Sequence, residues 1–366
     1  MPADKGGGKL LLWVVSFVAV YVNSILYTNV SAEVKKFHGG LIWKKPLQLQ
    51  FESAYKEPAD PVIYFGRIFV TKNNSLYIIS TGGELRSSIP VVDEHIRLTK
   101  TSVSDGVVYA GSDKGGIYAY STNGELLWEK DAGSEKYGAS PTAANGIVAV
   151  PSIDKGLTIF DKTGELLAHV DSDSVYSAPL ILDKGNTLVF ATESGNIVSY
   201  DIGKKARNWS KGYNKRFLYP LVGTDEIIAV SRADGNVIAV NPADGSLLWS
   251  QTFDEIKRTR INPGFTEGKL ILAGSSETNS TVIIVDGASG QVISKILVQC
   301  GTIASPFIFD RAVYIGTESG KVYCYNFVKN KYDWTYYSQG SPISMVVADR
   351  GGVYALSEDG LLKIAR

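Results

Sequence analysis

Few side chains in this sequence have the types and spacing that catalysis or metal binding requires. The chain of 366 residues holds 3 histidines, His38, His95 and His169, and 2 cysteines, Cys300 and Cys324. The histidines are far apart in the sequence, and no Cys-x-x-Cys pair is present. Nucleophilic catalysis needs a base beside its nucleophile, and a structural zinc site needs clustered Cys and His ligands. These residues predict neither chemistry, and we expect no enzyme activity, no metal site and no bound cofactor.

The two cysteines leave two interpretations open. They are either separate thiols on strands or one disulfide formed in an oxidising compartment. A disulfide requires Cα atoms within about 7 Å of each other, and the spacing along the chain does not fix that distance.

Acidic residues recur beside short turns and raise the question of calcium binding. They are Asp113, Asp154, Glu193, Asp234, Glu318, Glu358 and Asp359. A calcium loop needs several oxygen ligands within one short segment, whereas each of these turns offers one or two. Because Asp tolerates the backbone conformations of tight turns, the pattern predicts turns rather than calcium sites.

The strongest binding signal combines basic and aromatic residues. Two basic segments, 211–216 and 257–260, fall between repeated units of the chain, and aromatic residues flank the first of them. Arginine and aromatic side chains are enriched at protein interfaces, although solvated loops have the same composition. We predict a partner-binding surface formed by Lys211, Tyr213, Arg216, Lys257, Arg258 and Arg260.

The charge balance limits the kinds of partner. The chain has 37 Lys and Arg and 37 Asp and Glu, so its formal net charge is +0. A nucleic-acid-binding surface requires an excess of basic residues to neutralise phosphates. We therefore expect no nucleic-acid partner, and we expect other envelope or membrane proteins instead.

The N-terminal segment 10–27 is almost entirely apolar, with the sequence LLLWVVSFVAVYVNSILY. As a helix it would be about 27 Å long, close to the thickness of a bilayer core. It is either a retained anchor or a signal peptide cleaved after small residues near Ala32. Both interpretations predict a hydrophobic helix within 1–32, a linker at 33–38 and a domain at 39–366. They also predict a membrane-associated protein whose domain works outside the cytoplasm, on the periplasmic or extracellular face.

A hairpin pattern recurs eight times from residue 37 onward, at a spacing of about forty residues. Examples are GSDKGGIYAY at 111–120, SRADGNVIAV at 231–240 and GTESGKVYCY at 316–325. Asp-Gly and Ser-Gly pairs supply the positive φ of tight hairpin turns, and flanking residues alternate as in strands. A second turn and a Leu-Leu-Trp-like segment follow most copies. Each unit is therefore predicted to be a four-stranded antiparallel meander.

Eight such meanders predict a closed all-β fold. A single meander leaves both faces exposed, whereas radial packing covers each face with a neighbouring unit. We therefore predict an eight-bladed β-propeller, with the tryptophans of the Leu-Leu-Trp segments packed between adjacent blades. The last unit ends after its third strand, and the segment 40–44 has the pattern of the missing fourth strand. The N-terminal strand is thus predicted to complete the last blade and close the ring.

The repeats at 107–131 (VVYAGSDKGGIYAYSTNGELLWEKD) and 227–251 (IIAVSRADGNVIAVNPADGSLLWSQ) resemble pyrroloquinoline-quinone-type propeller repeats. The shared pattern is two strands followed by D/N-x-x-x-G-x-x-x-W. In size and layout the chain is similar to the BamB family, propeller subunits of the machinery that assembles β-barrels in bacterial outer membranes. Members of that family are typically lipid-anchored through an N-terminal cysteine, and this sequence has no cysteine before Cys300.

The resemblance implies a non-catalytic scaffold that binds partner proteins through loops on one face of a propeller. Quinone-dependent oxidoreductases share these repeats and provide one alternative. Their cofactor lies on a vicinal disulfide beside calcium, and here Cys300 and Cys324 are not adjacent. A binding module for an extracellular ligand is the other alternative.

Overall fold

The computed structural model describes residues 39–45, 61–72, 74–91, 95–132, 139–213, 215–217, 219–232, 234–257, 261–275, 279–299, 304–357 and 359–366. All of them belong to the compact unit Val34–Arg366. The apolar segment 10–27, for which we predicted a helix, lies outside the described residues. Within the described part of the chain, no helix has the length and apolar character needed to cross a membrane.

The described residues form eight four-stranded antiparallel sheets, which confirms the predicted eight-bladed architecture. Blade 1 consists of β2 (Val62–Tyr64), β3 (Arg67–Lys72), β4 (Ser75–Ser80) and β5 (Leu85–Pro90), and blade 2 of β6 (Leu98–Ser104), β7 (Val107–Ser112), β8 (Gly116–Ser121) and β9 (Leu126–Asp131). Blade 3 consists of β10 (Thr142–Ala144), β11 (Ile147–Ser152), β12 (Gly156–Asp161) and β13 (Leu166–Val170), and blade 4 of β14 (Leu180–Leu182), β15 (Thr187–Ala191), β16 (Asn196–Asp201) and β17 (Ala206–Gly212). Blade 5 consists of β18 (Val222–Gly223), β19 (Ile228–Ser231), β20 (Asn236–Val240) and β21 (Leu247–Thr252), and blade 6 of β22 (Gly264–Thr266), β23 (Lys269–Ser275), β24 (Ser280–Asp286) and β25 (Val292–Val298). Blade 7 consists of β26 (Phe307–Phe309), β27 (Ala312–Gly316), β28 (Lys321–Asn326) and β29 (Lys331–Tyr337), and blade 8 of β30 (Ile343–Asp349), β31 (Gly352–Ser357), β32 (Gly360–Ile364) and β1 (Leu41–Lys45). Two short 3-10 helices, Asp183–Gly185 and Asp254–Ile256, interrupt the strand order.

The second and third strands of each blade form the core. All six residues of β7 are buried, whereas β9, the outer strand of the same blade, is mostly exposed. Strands buried on both faces lose the simple alternation of apolar and polar residues, because neighbouring blades cover both sides of the sheet. Tight turns join these strands, and Gly115 has a φ of 97° in the turn between β7 and β8. A positive φ of this size favours glycine, as the sequence pattern predicted.

Apolar packing runs around the whole ring. Among the described residues, eight hydrophobic clusters each combine side chains of two neighbouring blades. One of them joins Ile68 and Ile79 of blade 1 to Met345 and Tyr354 of blade 8. This cluster closes the ring, so the last blade is packed on both faces like the others.

Blade 8 takes its outer strand from the N-terminal side of the domain. Strand β1 pairs antiparallel with β32, and Leu41 lies opposite Ile364. Two further backbone hydrogen bonds extend the pairing, from the Gly39 amide to Ala365 at 2.9 Å and from the Ala365 amide to Gly40 at 2.8 Å. The predicted closure by an N-terminal strand is confirmed.

Tryptophans on the outer strands pack between blades, as predicted. At five of the eight boundaries the indole of one blade lies against a glycine just before the outer strand of the next blade. The pairs are Trp43 with Gly83, Trp128 with Gly164, Trp209 with Gly245, Trp249 with Gly290, and Trp334 with Gly39. The Trp128 Nε1 also donates to the Lys162 carbonyl at 2.9 Å, in the turn that holds Gly164. The Trp209 and Trp249 Nε1 atoms donate to the Pro242 and Gly287 carbonyls in the same way, so at these three boundaries the contact couples two blades through both apolar surface and a polar atom.

The alternation of turns gives each blade two distinct ends. The hairpin end carries the turns between the first and second strands and between the third and fourth strands. The connection end carries the turns between the second and third strands, together with the segments that lead into the next blade. Backbone hydrogen bonds join these two parts of the connection end, for example from the Tyr213 amide to Gly195 at 2.8 Å and from the Phe253 amide to Gly235 at 2.8 Å.

Candidate partner-binding surface

The described residues predicted to bind a partner lie in blades 4 and 5. Lys211 is on the outer strand β17, and Tyr213 and Arg216 follow in the segment that leads into blade 5. Lys257 directly follows the 3-10 helix Asp254–Ile256 in the segment that leads into blade 6. The other two predicted residues, Arg258 and Arg260, lie outside the described residues. We use the name blade 4–5 surface for the part of the connection end formed by Tyr176, Glu193, Tyr213, Arg216 and Lys257.

Arg216 ties two neighbouring segments of the blade 4–5 surface together. Its Nη2 lies 3.1 Å from Glu193 Oε1, in the turn between β15 and β16. Its guanidinium carbon lies 4.9 Å from the centre of the Tyr176 ring, in the segment that leads into blade 4. About half of the Arg216 side chain remains exposed. The guanidinium is therefore oriented by protein contacts while one side faces solvent, as at many interfaces.

Tyr213 has a structural position rather than a freely exposed one. Its hydroxyl donates to the Gly245 carbonyl at 3.1 Å, and its carbonyl accepts a hydrogen bond from Arg232 Nη2 at 2.6 Å. Its ring meets Phe217 edge-on at 6.1 Å. Burial raises the pKa of the Tyr213 phenol, and the charge of Arg232 opposes that shift only in part. The hydroxyl is therefore a neutral donor that holds blade 4 against blade 5.

Arg232 is a residue of this surface that the sequence analysis missed. Its guanidinium carbon lies 5.3 Å from the centre of the Phe217 ring, which is fully buried. Its Nη1 donates to Asn236 Oδ1 at 3.2 Å, and its buried Nε has no acceptor among the described residues. A signal was present, because Arg232 occupies a turn position that is Ser112, Thr192 or Thr317 in three other repeats.

The lysines of the region are paired with carboxylates of neighbouring turns. The pairs are Lys215–Asp234 at 2.5 Å, Lys257–Asp254 at 2.6 Å and Lys295–Glu255 at 2.5 Å. Lys211 lies near Asp244, whose carboxyl pKa its charge helps to lower, and its aliphatic chain lies against Gly245. Among its described residues, most cationic side chains therefore lie beside a carboxylate, although the sequence segments are basic. Such a composition suits a protein partner better than a polyanion, since a polyanion would have to compete with the resident carboxylates.

The pair between blades 4 and 5 affects the ionisation of Asp234. Burial alone would raise the pKa of this carboxyl, but hydrogen bonds from Lys215 and the Asn236 amide outweigh it, together with the charges of Lys215 and Arg232. The pKa is consequently held below its ordinary value of 3.8. The pair therefore stabilises the fold above about pH 3.8, and that contribution is lost as the pH falls through the folded-state pKa.

A Lys215→Ala variant is expected to raise the pKa of Asp234 towards 3.8, because it removes the strongest stabilising hydrogen bond. An NMR titration of side-chain carboxyl groups measures the change. The control is Lys162→Ala, since Lys162 lies in a turn of the hairpin end of blade 3, away from Asp234. Equal Asp234 titration curves in the two variants would contradict the assigned pairing.

The histidines, cysteines and acidic turns form no reactive group in the described part of the chain. His169 lies on the outer strand β13, with Nδ1 3.2 Å from Thr158 Oγ1 and Nε2 3.4 Å from Asp171 Oδ1. Cys324 is buried with a free thiol, and burial raises its pKa to about 12, which suppresses the thiolate. No group of three potential metal ligands occurs among the described residues. His38 and Cys300 lie outside them.

Comparisons with known proteins agree with this architecture. Residues 80–204 and 158–299 match the family model described as outer membrane protein assembly factor BamB. One curated relative is the outer membrane protein assembly factor BamB of Shewanella oneidensis, which is 25% identical over 269 residues. That match covers 68% of this chain and 62% of the relative, so the chain spans less than two thirds of the relative's length.

Two solved structures share the fold at low sequence identity. BamB from Moraxella catarrhalis has a TM-score of 0.68 at 14% identity, covering 88% of this chain and 96% of that protein. A quinohemoprotein alcohol dehydrogenase from Pseudomonas putida has a TM-score of 0.66 at 13% identity, covering 86% of this chain and 71% of that enzyme. These similarities establish the propeller, whereas the family model, which spans blades 2 to 6, is specific in sequence. Because that model matches more than half of its residues, the chain belongs to the family described as outer membrane protein assembly factor BamB.

Proposed function

We propose that this protein is a non-catalytic, membrane-associated propeller that works outside the cytoplasm as a scaffold for the assembly of envelope or membrane proteins. Membership of the BamB family is the observation that carries this proposal. The fold alone does not distinguish a scaffold from an enzyme, since propellers of this kind serve as enzymes and as binding modules. The absence of clustered catalytic groups in the sequence, with 3 scattered histidines, favours binding over catalysis.

We place the partner-binding site on the blade 4–5 surface. Segments from three successive blade connections contribute to it, through Tyr176, Arg216 and Lys257. Arg216 is held by Glu193 and by the Tyr176 ring, so little side-chain entropy remains to be lost when a partner binds. The exposed parts of these side chains offer both hydrogen-bond donors and aromatic area to a protein partner.

Membrane association rests on the N-terminal sequence. The segment 10–27 has the length and apolar character of a bilayer-spanning helix, whether it is retained or cleaved after export. We therefore divide the chain into a targeting or anchoring segment at 1–32, a linker at 33–38 and the propeller at 39–366. The anchor would take the place of the N-terminal lipid attachment typical of the family.

Photo-cross-linking of the full chain in its native membranes tests the proposed site. A benzoylphenylalanine at position 257 is expected to cross-link an envelope or membrane protein, identified by mass spectrometry. The matched control is position 226, because Glu226 is exposed at the hairpin end of the same blade. Combined with benzoylphenylalanine at position 257, Arg216→Glu is expected to reduce the cross-link about tenfold, since it removes an interface donor and reverses a charge.

Two outcomes would contradict the proposal. Equal cross-linking from positions 257 and 226 would show that the blade 4–5 surface is not a specific site. Recovery of the propeller without a protein partner, together with quinone-dependent dehydrogenase activity, would replace the scaffold with an oxidoreductase. Thermal unfolding of the Arg216→Glu variant controls for loss of fold.

A further inference from the structure

The turns at the hairpin end differ in charge around the ring. In most of blades 2 to 6, the turn between the first and second strands carries acidic residues, namely Asp105, Asp183, Asp225, Glu226 and Glu267. Blade 4 adds one basic residue, Lys184. In blades 7, 8 and 1 the same turn carries Arg311, Arg350 and Phe65. Three consecutive blades therefore have cationic or aromatic side chains where most of the others have carboxylates.

The two arginines of these turns are accessible to a ligand. Arg311 and Arg350 are exposed, and neither forms an ion pair within the described part of the chain. Asp310, the acidic residue beside Arg311, pairs instead with Arg366. Asp349, beside Arg350, is partly buried. Exposed guanidinium groups without a paired carboxylate attract anionic ligands, including phosphoryl groups.

Phe65 occupies the corresponding turn position of blade 1 and is 65% exposed. Its φ is 45°, close to the φ of 51° at Asp105 and Asn145 in the same position of blades 2 and 3. Asp and Asn tolerate this left-handed conformation, whereas a bulky side chain disfavours it, so turn geometry does not explain a phenylalanine here. Exposed phenylalanine beside basic residues is typical of surfaces that enter the headgroup region of a membrane.

Aliphatic side chains extend the apolar area around Phe65. Leu41 and Ile42 at the start of β1 and Leu85 at the start of β5 are exposed, and both strands begin at the hairpin end. Outer strands of other blades begin in the same way, as at Leu126. These residues therefore add contact area but do not distinguish blades 8 and 1 from the rest of the ring.

A polar cavity of about 480 Å³ lies next to Phe65, between blades 1 and 2. Its lining residues include Phe65, Arg67 and Arg86, together with Ser80, Ser87, Thr122 and Asn123. Arg67 Nη1 donates to the Thr122 carbonyl at 2.8 Å, and Arg86 Nη2 lies 2.6 Å from Glu84 Oε2. Each guanidinium has five N–H donors, so both retain donors for a ligand. Oriented guanidinium groups among hydroxyl and amide side chains match the acceptors of a phosphate.

The chain leaves the propeller on its N-terminal side from the same region. Strand β1 begins at the hairpin end of blade 8, which lies between blades 7 and 1. The apolar segment ends at Tyr27, and the chain from there to Gly39 can span at most about 40 Å. An anchor formed by that segment would keep the hairpin end of blade 8 near the bilayer. We use the name blade 7–8–1 surface for Arg311, Arg350, Phe65, Arg67 and Arg86.

We propose that the blade 7–8–1 surface docks on a bilayer that contains anionic phospholipids. Phe65 enters the headgroup region, Arg311 and Arg350 lie against headgroups, and the cavity beside Arg67 binds a headgroup phosphate. This proposal rests on the membrane association proposed above. Docking at the hairpin end leaves the blade 4–5 surface, which is at the connection end, accessible to a protein partner.

Cross-linking to lipid tests the docking. The full chain is reconstituted in nanodiscs of phosphatidylcholine and phosphatidylglycerol at about 7:3, with benzoylphenylalanine at position 65. The matched control carries it at position 226, which is exposed in the same turn of blade 5, on the opposite side of the ring. Mass spectrometry is expected to find at least about five times more lipid adducts at position 65. In nanodiscs of phosphatidylcholine alone, adducts at position 65 are expected to fall at least about threefold.

A charge variant tests the two arginines. Arg311→Gln combined with Arg350→Gln is expected to reduce lipid adducts at position 65 about fivefold, because it removes two cations from the docked surface. The matched control is Lys204→Gln with Lys205→Gln, which removes two exposed cations from the hairpin end of blade 4. The control is expected to leave the adducts unchanged. Both variants change exposed side chains, and thermal unfolding verifies that each retains the fold.

Several results would overturn the docking. These are equal lipid adducts at positions 65 and 226, equal adducts with and without phosphatidylglycerol, or equal adducts in the two charge variants. Adducts at position 65 with protein rather than lipid, in native membranes, would assign this surface to a protein partner instead. A chain that stays with the nanodiscs in any of these cases keeps its membrane association, whereas a chain lost from both kinds of nanodisc contradicts that association as well.

Discussion

Deletion of residues 39–45 is expected to lower the free energy of unfolding by on the order of 5 kcal/mol, because it removes the outer strand of blade 8. Strand β1 supplies one whole side of the β32 ladder. It also supplies Trp43, which packs against Gly83 of blade 1. Loss of the strand leaves β32 as an exposed edge with apolar neighbours, so we expect aggregation on heating as well. Denaturant unfolding followed by fluorescence measures the change.

A point variant in β1 tests whether the loss of stability comes from losing the whole strand or from changing one of its exposed side chains. Lys44→Ala removes an ion pair with Asp359 in which both side chains are about half exposed. We expect the midpoint of thermal unfolding to move by less than about 1 °C, because exposed ion pairs contribute little. A deletion variant as stable as Lys44→Ala would show that β1 does not hold the ring closed.

The eight-bladed architecture was predictable because the same local pattern occurs eight times. A single hairpin such as 111–120 is weak support for a fold, but each further copy tests the same strand and turn assignment. The closing strand was predictable for a related reason, since the last unit lacks a fourth strand and the segment 40–44 has the corresponding pattern. Repetition also identified the tryptophans as packing residues, because binding residues have no reason to recur at the same position of five blades.

The contacts of the candidate site were less predictable. The sequence places Lys215 and Asp234 19 residues apart in different repeats, and only the stagger between blades 4 and 5 brings them into contact. Arg232 was missed for the same reason, since its partners Tyr213 and Phe217 belong to the preceding blade connection. Sequence patterns describe one blade well because its contacts are local. The contacts between blades depend on the twist and stagger of one blade relative to the next, and the sequence of a single repeat does not determine them.

Where a blade departs from the repeated tryptophan, neighbouring residues compensate for it. Aligning the outer strands identifies Ser87 of blade 1, Ala168 of blade 3 and Ser294 of blade 6 at the position that is tryptophan in the other five blades. What the sequence does not provide is the response of the neighbours. In blade 1, Ile78 and Ile89 lie against Gly124 of the next blade, whereas Ser294 of blade 6 has an asparagine, Asn330, within 3.4 Å.

The Trp249→Ala variant is expected to lower the free energy of unfolding by about 3 kcal/mol, at the lower end for loss of a large aromatic side chain because the residue is only half-buried. Its Nε1 donates to the Gly287 carbonyl at 2.7 Å, and its ring covers Gly290. A methyl group on Gly290 would lie 2.8 Å from the ring at a φ of 75°. We therefore expect Gly290→Ala to cost about 3 kcal/mol as well, through ring contact and backbone strain.

The two substitutions are expected to be strongly non-additive, because Trp249→Ala removes the ring that the new methyl group would strike. In that background Gly290→Ala should cost only about 1 kcal/mol, the contribution of the left-handed backbone conformation. Gly146→Ala provides the matched control, since Gly146 has a φ of 77° and a methyl group there would meet nothing within 4 Å. Its cost should equal that of Gly290→Ala in the Trp249→Ala background and should not change when Trp249 is replaced. Additive costs for Trp249 and Gly290 in a double-mutant cycle would mean that the indole and the glycine do not couple blades 5 and 6. The repeated tryptophan would then stabilise its own blade rather than the boundary between blades.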